Sequence, residues 1–90
     1  SPLWRPRRRG ILRNAAIALG NRPASSNLTA LGKGLADVEP LIRGASAWAI
    51  GRHQGVAGEA VIQLLQQRRQ VEVDDVVIGE IENAIGGLSR

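Results

Sequence analysis

Arginine side chains concentrate at the amino-terminal end of this 90-residue chain. Residues 1–36 contain seven basic side chains and no acidic one, whereas residues 37–90 contain five basic and eight acidic side chains. The formal charges of the two parts are therefore +7 and −3, which together give +4. Because guanidinium groups donate paired hydrogen bonds to phosphate oxygens, this pattern indicates a phosphate-bearing partner. The alternative is a solvated basic tail that only aids solubility.

Seven polar side chains near this end are the candidate nucleic-acid contacts. The arginines around Trp4 and Pro6 adjoin no apolar stripe that would need them for packing. Arg13 and Asn14 form the polar notch of an otherwise apolar helix, where they contact either nucleic acid or a preceding domain. The candidates are Arg5, Arg7, Arg8, Arg9, Arg13, Asn14 and Arg22.

The rest of the composition excludes most catalytic chemistry. There is no cysteine, so disulfides, iron–sulfur ligation, thiolate-bound zinc and a cysteine nucleophile are all excluded. The single histidine, His53, follows a predicted helix end, where it can interact with terminal carbonyls. The acids Glu72, Asp74 and Asp75 indicate a helix cap rather than a cation site. We therefore expect no bound cofactor or metal, and no catalysis by this chain alone.

Hydrophobic spacing predicts five helices. The first ten residues contain two prolines, one glycine and four arginines, so we expect an extended basic linker there. The residues 71–73 alternate like a strand but have no partner, which favours a connection. No apolar run is long enough for a membrane span. The predicted helices cover about residues 11–19, 28–35, 41–52, 56–69 and 74–85.

An internal repeat indicates the architecture. One helix ending occurs three times, at offsets of 31 and 35 residues, as Ala18-Leu19-Gly20, Ala49-Ile50-Gly51 and Ala84-Ile85-Gly86. One shorter helix lies between successive copies, so the repeating unit is a helical hairpin. We predict an all-α fold, an α-α superhelix of stacked hairpins, with residues 1–10 as the linker and residues 11–90 as the repeat domain.

The two ends of the predicted stack differ. Relative to the middle copy, the last copy has Glu80, Glu82 and Asn83 at positions occupied by alanine or tryptophan, which predicts a polar terminal cap. The first copy has no such polar face, so we expect a preceding domain or a second copy of the chain to cover it. Together with the absence of methionine, this favours a C-terminal piece of a larger protein.

Two residues in the middle copy have structural interpretations. We expect Arg43 to hydrogen-bond to Asp37 at the preceding turn. Trp48 lies on the apolar stripe and is predicted to be part of the core, although a partly open tryptophan can stack on a nucleic-acid base.

The sequence also resembles known families over about residues 1–53. The pattern Asp37-x-x-Pro40-Leu41-Ile42-Arg43-Gly44-Ala45-x-Ala47-Trp48-Ala49-Ile50-Gly51 resembles a HEAT-like repeat. Ser1-Pro2-Leu3 followed by the residues Arg7 to Asn21, RRRGILRNAAIALGN, resembles the linker and first helix of the C-terminal region of epoxyqueuosine reductases. Helix packing alone does not demand Arg13, Asn14 or Asn21.

This resemblance implies a cytoplasmic parent enzyme of queuosine biosynthesis. Such an enzyme reduces an epoxide at the tRNA wobble base, using cobalamin and two [4Fe-4S] clusters whose ligands lie upstream of this region. The resemblance implies that this domain packs against the upstream catalytic domain and helps to hold the tRNA anticodon arm, without catalysis of its own. The alternative is a HEAT-type scaffold that binds another protein.

Overall fold

Helix α3, Pro40–Gly51, occupies the centre of the fold and contacts every other α-helix. The structure is a computed structural model that describes residues 4–88. Every regular element in that range is helical. The others are α1 (Trp4–Asn21), a short 3-10 turn (Ser25–Asn27), α2 (Leu28–Leu35), α4 (Gln54–Val71) and α5 (Asp75–Leu88).

The helices form two layers. Helices α1, α3 and α5 lie side by side, and α2 and α4 cover one side of that row. The core between the layers is thin and contains few large side chains, among them Leu31, Ile50, Leu65 and Ile81. The prediction of an all-α stack of helical hairpins is therefore confirmed.

The repeated helix ending marks the places where neighbouring helices touch. A Cβ atom on Gly20 of α1 would lie 3.1 Å from the Cα of Ala49 in α3 and 2.6 Å from a ring carbon of Trp48. A Cβ atom on Gly51 of α3 would lie 2.9 Å from the Cβ of Ala84 in α5. We call this contact, made by the glycine of one helix ending and the alanine of the next, the Ala-x-Gly seam. Backbones approach closely there because no side chain separates them.

A buried ion pair joins the first turn of α3 to the loop before α5. Arg43 donates from Nε to Oε1 of Glu72 at 2.8 Å and from Nη2 to Oε2 at 2.9 Å. Its remaining nitrogen donates to the backbone carbonyls of Asp37 and Val38, at 2.9 and 3.1 Å. The expected bond from Arg43 to Asp37 is thus made to the backbone, and the carboxylate partner of Arg43 is Glu72.

Glu72 is the most enclosed charged group among the described residues, with a side chain that is 0% exposed. Its oxygens also accept hydrogen bonds from Nε of Arg68 and from the N–H groups of Val73 and Asp74, each at 3.1 Å. Burial by itself raises the pKa of Glu72, but these donors and Arg43 outweigh it and lower the pKa to about 2. The carboxylate is therefore ionised throughout the physiological range.

Helix α1 begins earlier than predicted. Residues 4–10 are helical, so the expected extended linker is wrong for them. Pro6 lies in the first turn, where no intrahelical partner is required for a backbone N–H. Residues 1–3 lie outside the described range. The side chain of Asn27, the residue before α2, makes no capping bond to that helix.

The two ends of the stack differ less than predicted, because the outer face of α1 carries the polar Arg7 and Asn14 beside Ile11 and Ala18. At the carboxyl end, Glu82 and Asn83 are exposed, as expected of a polar cap, whereas Glu80 is half-buried. At the amino end, the outer face of α1 is left open by the described part of the chain, and Ile11 on that face is 52% exposed.

Adding a side chain at the seam should destabilise the fold. We expect Gly20→Leu to lower the free energy of unfolding by about 2 kcal/mol or more, because the new atoms collide with α3. Gly10→Leu is the matched control in the same helix, where a Cβ meets nothing within 4 Å. That variant should be neutral or more stable by up to about 1 kcal/mol. Urea unfolding checks both, and equal effects would contradict the seam.

Glu72 should make stability depend on pH. Its folded pKa of about 2 lies below the ordinary value of 4.5, so its contribution is complete above about pH 4.5 and declines as the pH falls toward 2. Glu72→Gln should lose at most about 3 kcal/mol at neutral pH and show a shallower acid dependence. Urea unfolding between pH 2.5 and 7 measures this. Glu82→Gln, at an exposed ion pair, should change little; an unaltered acid dependence in Glu72→Gln would refute the assignment.

Candidate nucleic-acid interface

Three of the seven candidate contacts are held by acidic side chains near the start of α3. Arg8 donates from Nη2 and Nη1 to the carboxylate of Asp37, at 2.6 and 3.3 Å. Arg5 and Arg9 lie 3.3 and 3.7 Å from the carboxylate of Glu39. The hydrogen bond from Arg8 is the main reason why the pKa of Asp37 is lowered. These arginines therefore attach the first turns of α1 to the loop before α3.

The pair Arg8–Asp37 repeats the sequence spacing of Arg43–Glu72 and is likewise bidentate, although Arg8 donates from Nη1 and Nη2 and Arg43 donates from Nε and Nη2. Each arginine precedes its acid by 29 residues, and the two pairs are displaced by 35 residues. Asp37 also accepts a hydrogen bond from the N–H of Glu39 at 3.0 Å, as Glu72 does from the loop that follows it. We call this pairing the arginine–acid joint. Aligning the sequence with itself at an offset of 35 residues places Arg8 on Arg43 and Asp37 on Glu72. This alignment is the sequence signal that would have indicated the joint.

The other four candidates have no ion pair within residues 4–88. Arg7, Arg13, Asn14 and Arg22 are all exposed. Helical geometry places Arg7 and Asn14 on the outer face of α1, and Arg13 on the side facing the groove described next. Arg22 follows the end of α1. The structure therefore divides the seven predicted residues among several places and does not bring them together in one cluster.

A groove crosses the side of the α1–α3–α5 row that α2 and α4 leave open. It encloses about 360 Å³. Arg13 and Ile17 of α1 form one wall, and Val76 and Glu80 of α5 form the other. Its floor comes from α3 and consists of Pro40, Leu41, Gly44, Ala45 and Trp48. The floor is mostly apolar, and a basic and an acidic side chain face each other across it.

Trp48 is both a packing residue and a surface residue. One edge of its indole lies over Gly20 of α1, and the ring packs against the core while remaining partly exposed. The prediction that Trp48 belongs to the core is confirmed in part. The exposed portion of the ring faces the groove and a second concavity of about 230 Å³ beside it.

Arg52 is a further basic residue at this surface. Its guanidinium carbon lies 5.7 Å from the centroid of the Trp48 ring, within the range of a cation–π contact. Its Nε also lies 3.5 Å from the carbonyl oxygen of Gly20. Sequence reasoning missed Arg52, although its spacing of four residues from Trp48 along a helix places both on one face.

The only histidine is structural. His53 is fully buried, with Nδ1 2.8 Å from the carbonyl oxygen of Ala49 and Nε2 3.1 Å from the amide nitrogen of Asn27. Since a carbonyl only accepts, Nδ1 carries the proton and Nε2 accepts from Asn27. The same amide donates to the carbonyl oxygen of Arg22 at 3.0 Å. His53 thus ties the end of α3 to the loop after α1, as its predicted interaction with terminal carbonyls implied.

Within residues 4–88, no group of three or more histidine, cysteine or acidic side chains could hold a metal ion. None of the helices from Trp4 to Leu88 combines the length and the apolar character that crossing a membrane requires.

Comparison with known proteins agrees with this architecture. A family model described as HEAT repeats matches residues 8–86. An epoxyqueuosine reductase from Bacillus anthracis is 30% identical over 88 residues, which is 97% of this chain and 22% of the relative. The chain thus spans about a fifth of the length of that relative. No solved structure matches. Because the family match extends from α1 to α5, the chain belongs to the HEAT-repeat family.

Proposed function

We propose that this chain is a repeat domain of an enzyme related to the epoxyqueuosine reductases, and that it positions the tRNA anticodon arm. Its similarity to the Bacillus anthracis reductase supports this, because the alignment covers nearly the whole chain. In this proposal the chain catalyses nothing. An upstream domain of the same cytoplasmic enzyme binds cobalamin and two [4Fe-4S] clusters and reduces the epoxide.

One observation carries the RNA part of the proposal: basic side chains beside the groove are left without acidic partners among residues 4–88. Arg13 lines the groove, and Arg52 lies over the ring of Trp48 beside it. Arg22 is exposed as well, but it follows the end of α1 and does not line the groove. Guanidinium groups bind phosphate oxygens, and an exposed indole face can stack on an unpaired base of a loop. Contacts of this kind fix the orientation of the RNA and leave the choice of base to the catalytic domain.

The arginine–acid joints divide the basic side chains by role. Arg5, Arg8 and Arg9 already neutralise Asp37 and Glu39, so phosphate would have to compete with a carboxylate for them. The unpaired arginines meet no such competition. We therefore assign the main phosphate contacts to Arg13, Arg22 and Arg52 and a smaller electrostatic contribution to the paired arginines.

A titration of labelled anticodon stem-loop RNA at low and moderate salt tests the proposal. Each of Arg13→Gln, Arg22→Gln and Arg52→Gln should weaken binding several-fold, since each removes one phosphate contact. With about three such contacts, the logarithm of the binding constant should fall with the logarithm of the salt concentration with a slope of about −2 to −3. The matched control is Arg69→Gln on α4, in the other layer, which should bind as the unaltered chain does.

Two results would refute this function. The first is no binding at either salt concentration by a chain whose circular dichroism is helical. The second is an equal loss of affinity in the Arg69→Gln control, because that would make the attraction a property of net charge rather than of this surface.

A second candidate function follows from the apolar lining of the groove. Leu41 and Val76 are 48% and 76% exposed, and Glu80 faces them from the wall. Such a lining fits a HEAT-type scaffold that binds a protein segment. Val76→Ser separates the two functions, because it removes apolar contact and keeps every arginine. Under the RNA proposal this variant retains its salt-dependent RNA affinity.

A further inference from the structure

The Ala-x-Gly seam is made twice inside the molecule and is incomplete at both ends. Its first alanine, Ala18, is exposed on the outer face of α1. Its last glycine, Gly86, is exposed near the end of α5, and a Cβ atom there would meet nothing within 4 Å. One end of the chain therefore presents the alanine half of the contact, and the other end presents the glycine half.

The three helices of the row run in the same direction, so the residues on the two open faces can be aligned with each other position by position. Joints at the helix starts and seams at the helix ends show that α1, α3 and α5 run parallel. On each outer face, residues 4, 7 and 11 positions before the seam residue lie on the same side of the helix. Placing Ala18 of one copy on Gly86 of another therefore also opposes Asn14 to Glu82, Ile11 to Gly79, and Arg7 to Asp75.

These oppositions are complementary in shape and charge. Ile11 is 52% exposed and would face Gly79, where a Cβ atom would meet nothing within 4 Å. Arg7 and Asp75 are exposed and carry opposite charges, and neither makes an ion pair within residues 4–88. Glu82 pairs with Arg69 through Oε2, and its other carboxylate oxygen can accept a hydrogen bond from the amide of Asn14, so the opposition of Asn14 to Glu82 is favourable as well.

We propose that the outer face of α1 binds the outer face of α5 of a second copy of this chain, head to tail, through a third Ala-x-Gly seam. The occupant is a second copy because the face that complements α1 is present on the same chain. Since the two faces differ, the contact is heterologous, and further copies can add to either end. This association goes beyond the proposed function and leaves the groove open.

Blocked variants of the 90-residue chain test the proposal by analytical ultracentrifugation. Ala18→Arg blocks the first face and Gly86→Arg blocks the second, and each variant alone should be monomeric. An equimolar mixture of the two should form a one-to-one dimer and nothing larger, because one open face of each kind remains. The unaltered chain should form a concentration-dependent series of oligomers. Gly58→Arg, at an open position on α4, is the control and should associate as the unaltered chain does.

Exchanging the charges of Arg7 and Asp75 tests the proposed register of the two faces. Asp75→Lys should abolish association at low salt, and mixing it with Arg7→Glu should restore pairing between the two variants. A helical chain that is monomeric at the highest attainable concentration would overturn the proposal. So would a blocked mixture that does not pair, or a Gly86→Arg variant that still dimerises, since that outcome means that two α1 faces bind each other. RNA titrations of Ala18→Arg and Gly86→Arg report on the proposed function independently, because both variants retain Arg52 and all seven candidate contacts.

Discussion

The buried carboxylate of Glu72 imposes the strongest constraint on this fold. A buried carboxylate is tolerated only if hydrogen-bond donors surround it. Here the donors are Arg43, Arg68 and two backbone N–H groups. Because Arg43 also binds the carbonyls of the loop before α3, one cluster fixes the starts of two helices. Removing Glu72 would leave Arg43 buried without a carboxylate partner, and removing Arg43 would leave the buried Glu72 with Arg68 and two backbone N–H groups only.

The joint at the start of α1 has the same design in a more exposed setting. Arg8 is 34% exposed in its side chain, against 9% for Arg43, and it binds Asp37 through both oxygens. Joints at the helix starts and seams at the helix ends together set the spacing of the row. This arrangement compensates for the thin core. Because the core contains few large side chains, close contact between the helix backbones supplies the packing that such side chains would otherwise provide. It also assigns part of the basic amino-terminal segment to structure, and leaves the arginines beside the groove available for a partner.

The parts of the structure that depend on local pattern could be predicted from the sequence. Five helices, the repeated ending and the polar carboxyl end follow from spacing and from residue type. The predicted start of α1 was wrong. A proline among arginines has the same sequence pattern whether it interrupts a helix or lies in its first turn, as Pro6 does. The Arg8–Asp37 pair was within reach of the 35-residue offset, but the partner of Arg5 and Arg9 could not be found from spacing alone. Glu39 lies 30 or more residues away from both, and long side chains reach several neighbours. Arg52 was within reach of prediction, because its position relative to Trp48 is a helical one.

The arginine–acid joint is a repeated structural element, so Arg8 stabilises the fold before it contributes to binding any ligand. A double-mutant cycle with Arg8→Ala and Asp37→Ala, measured by urea unfolding, tests it directly, with the RNA affinity of Arg8→Ala measured alongside. We expect the double variant to lose clearly less stability than the sum of the two single losses, and Arg8→Ala to weaken RNA binding less than Arg13→Gln does. Additive losses, together with an RNA defect in Arg8→Ala as large as that of Arg13→Gln, would contradict it.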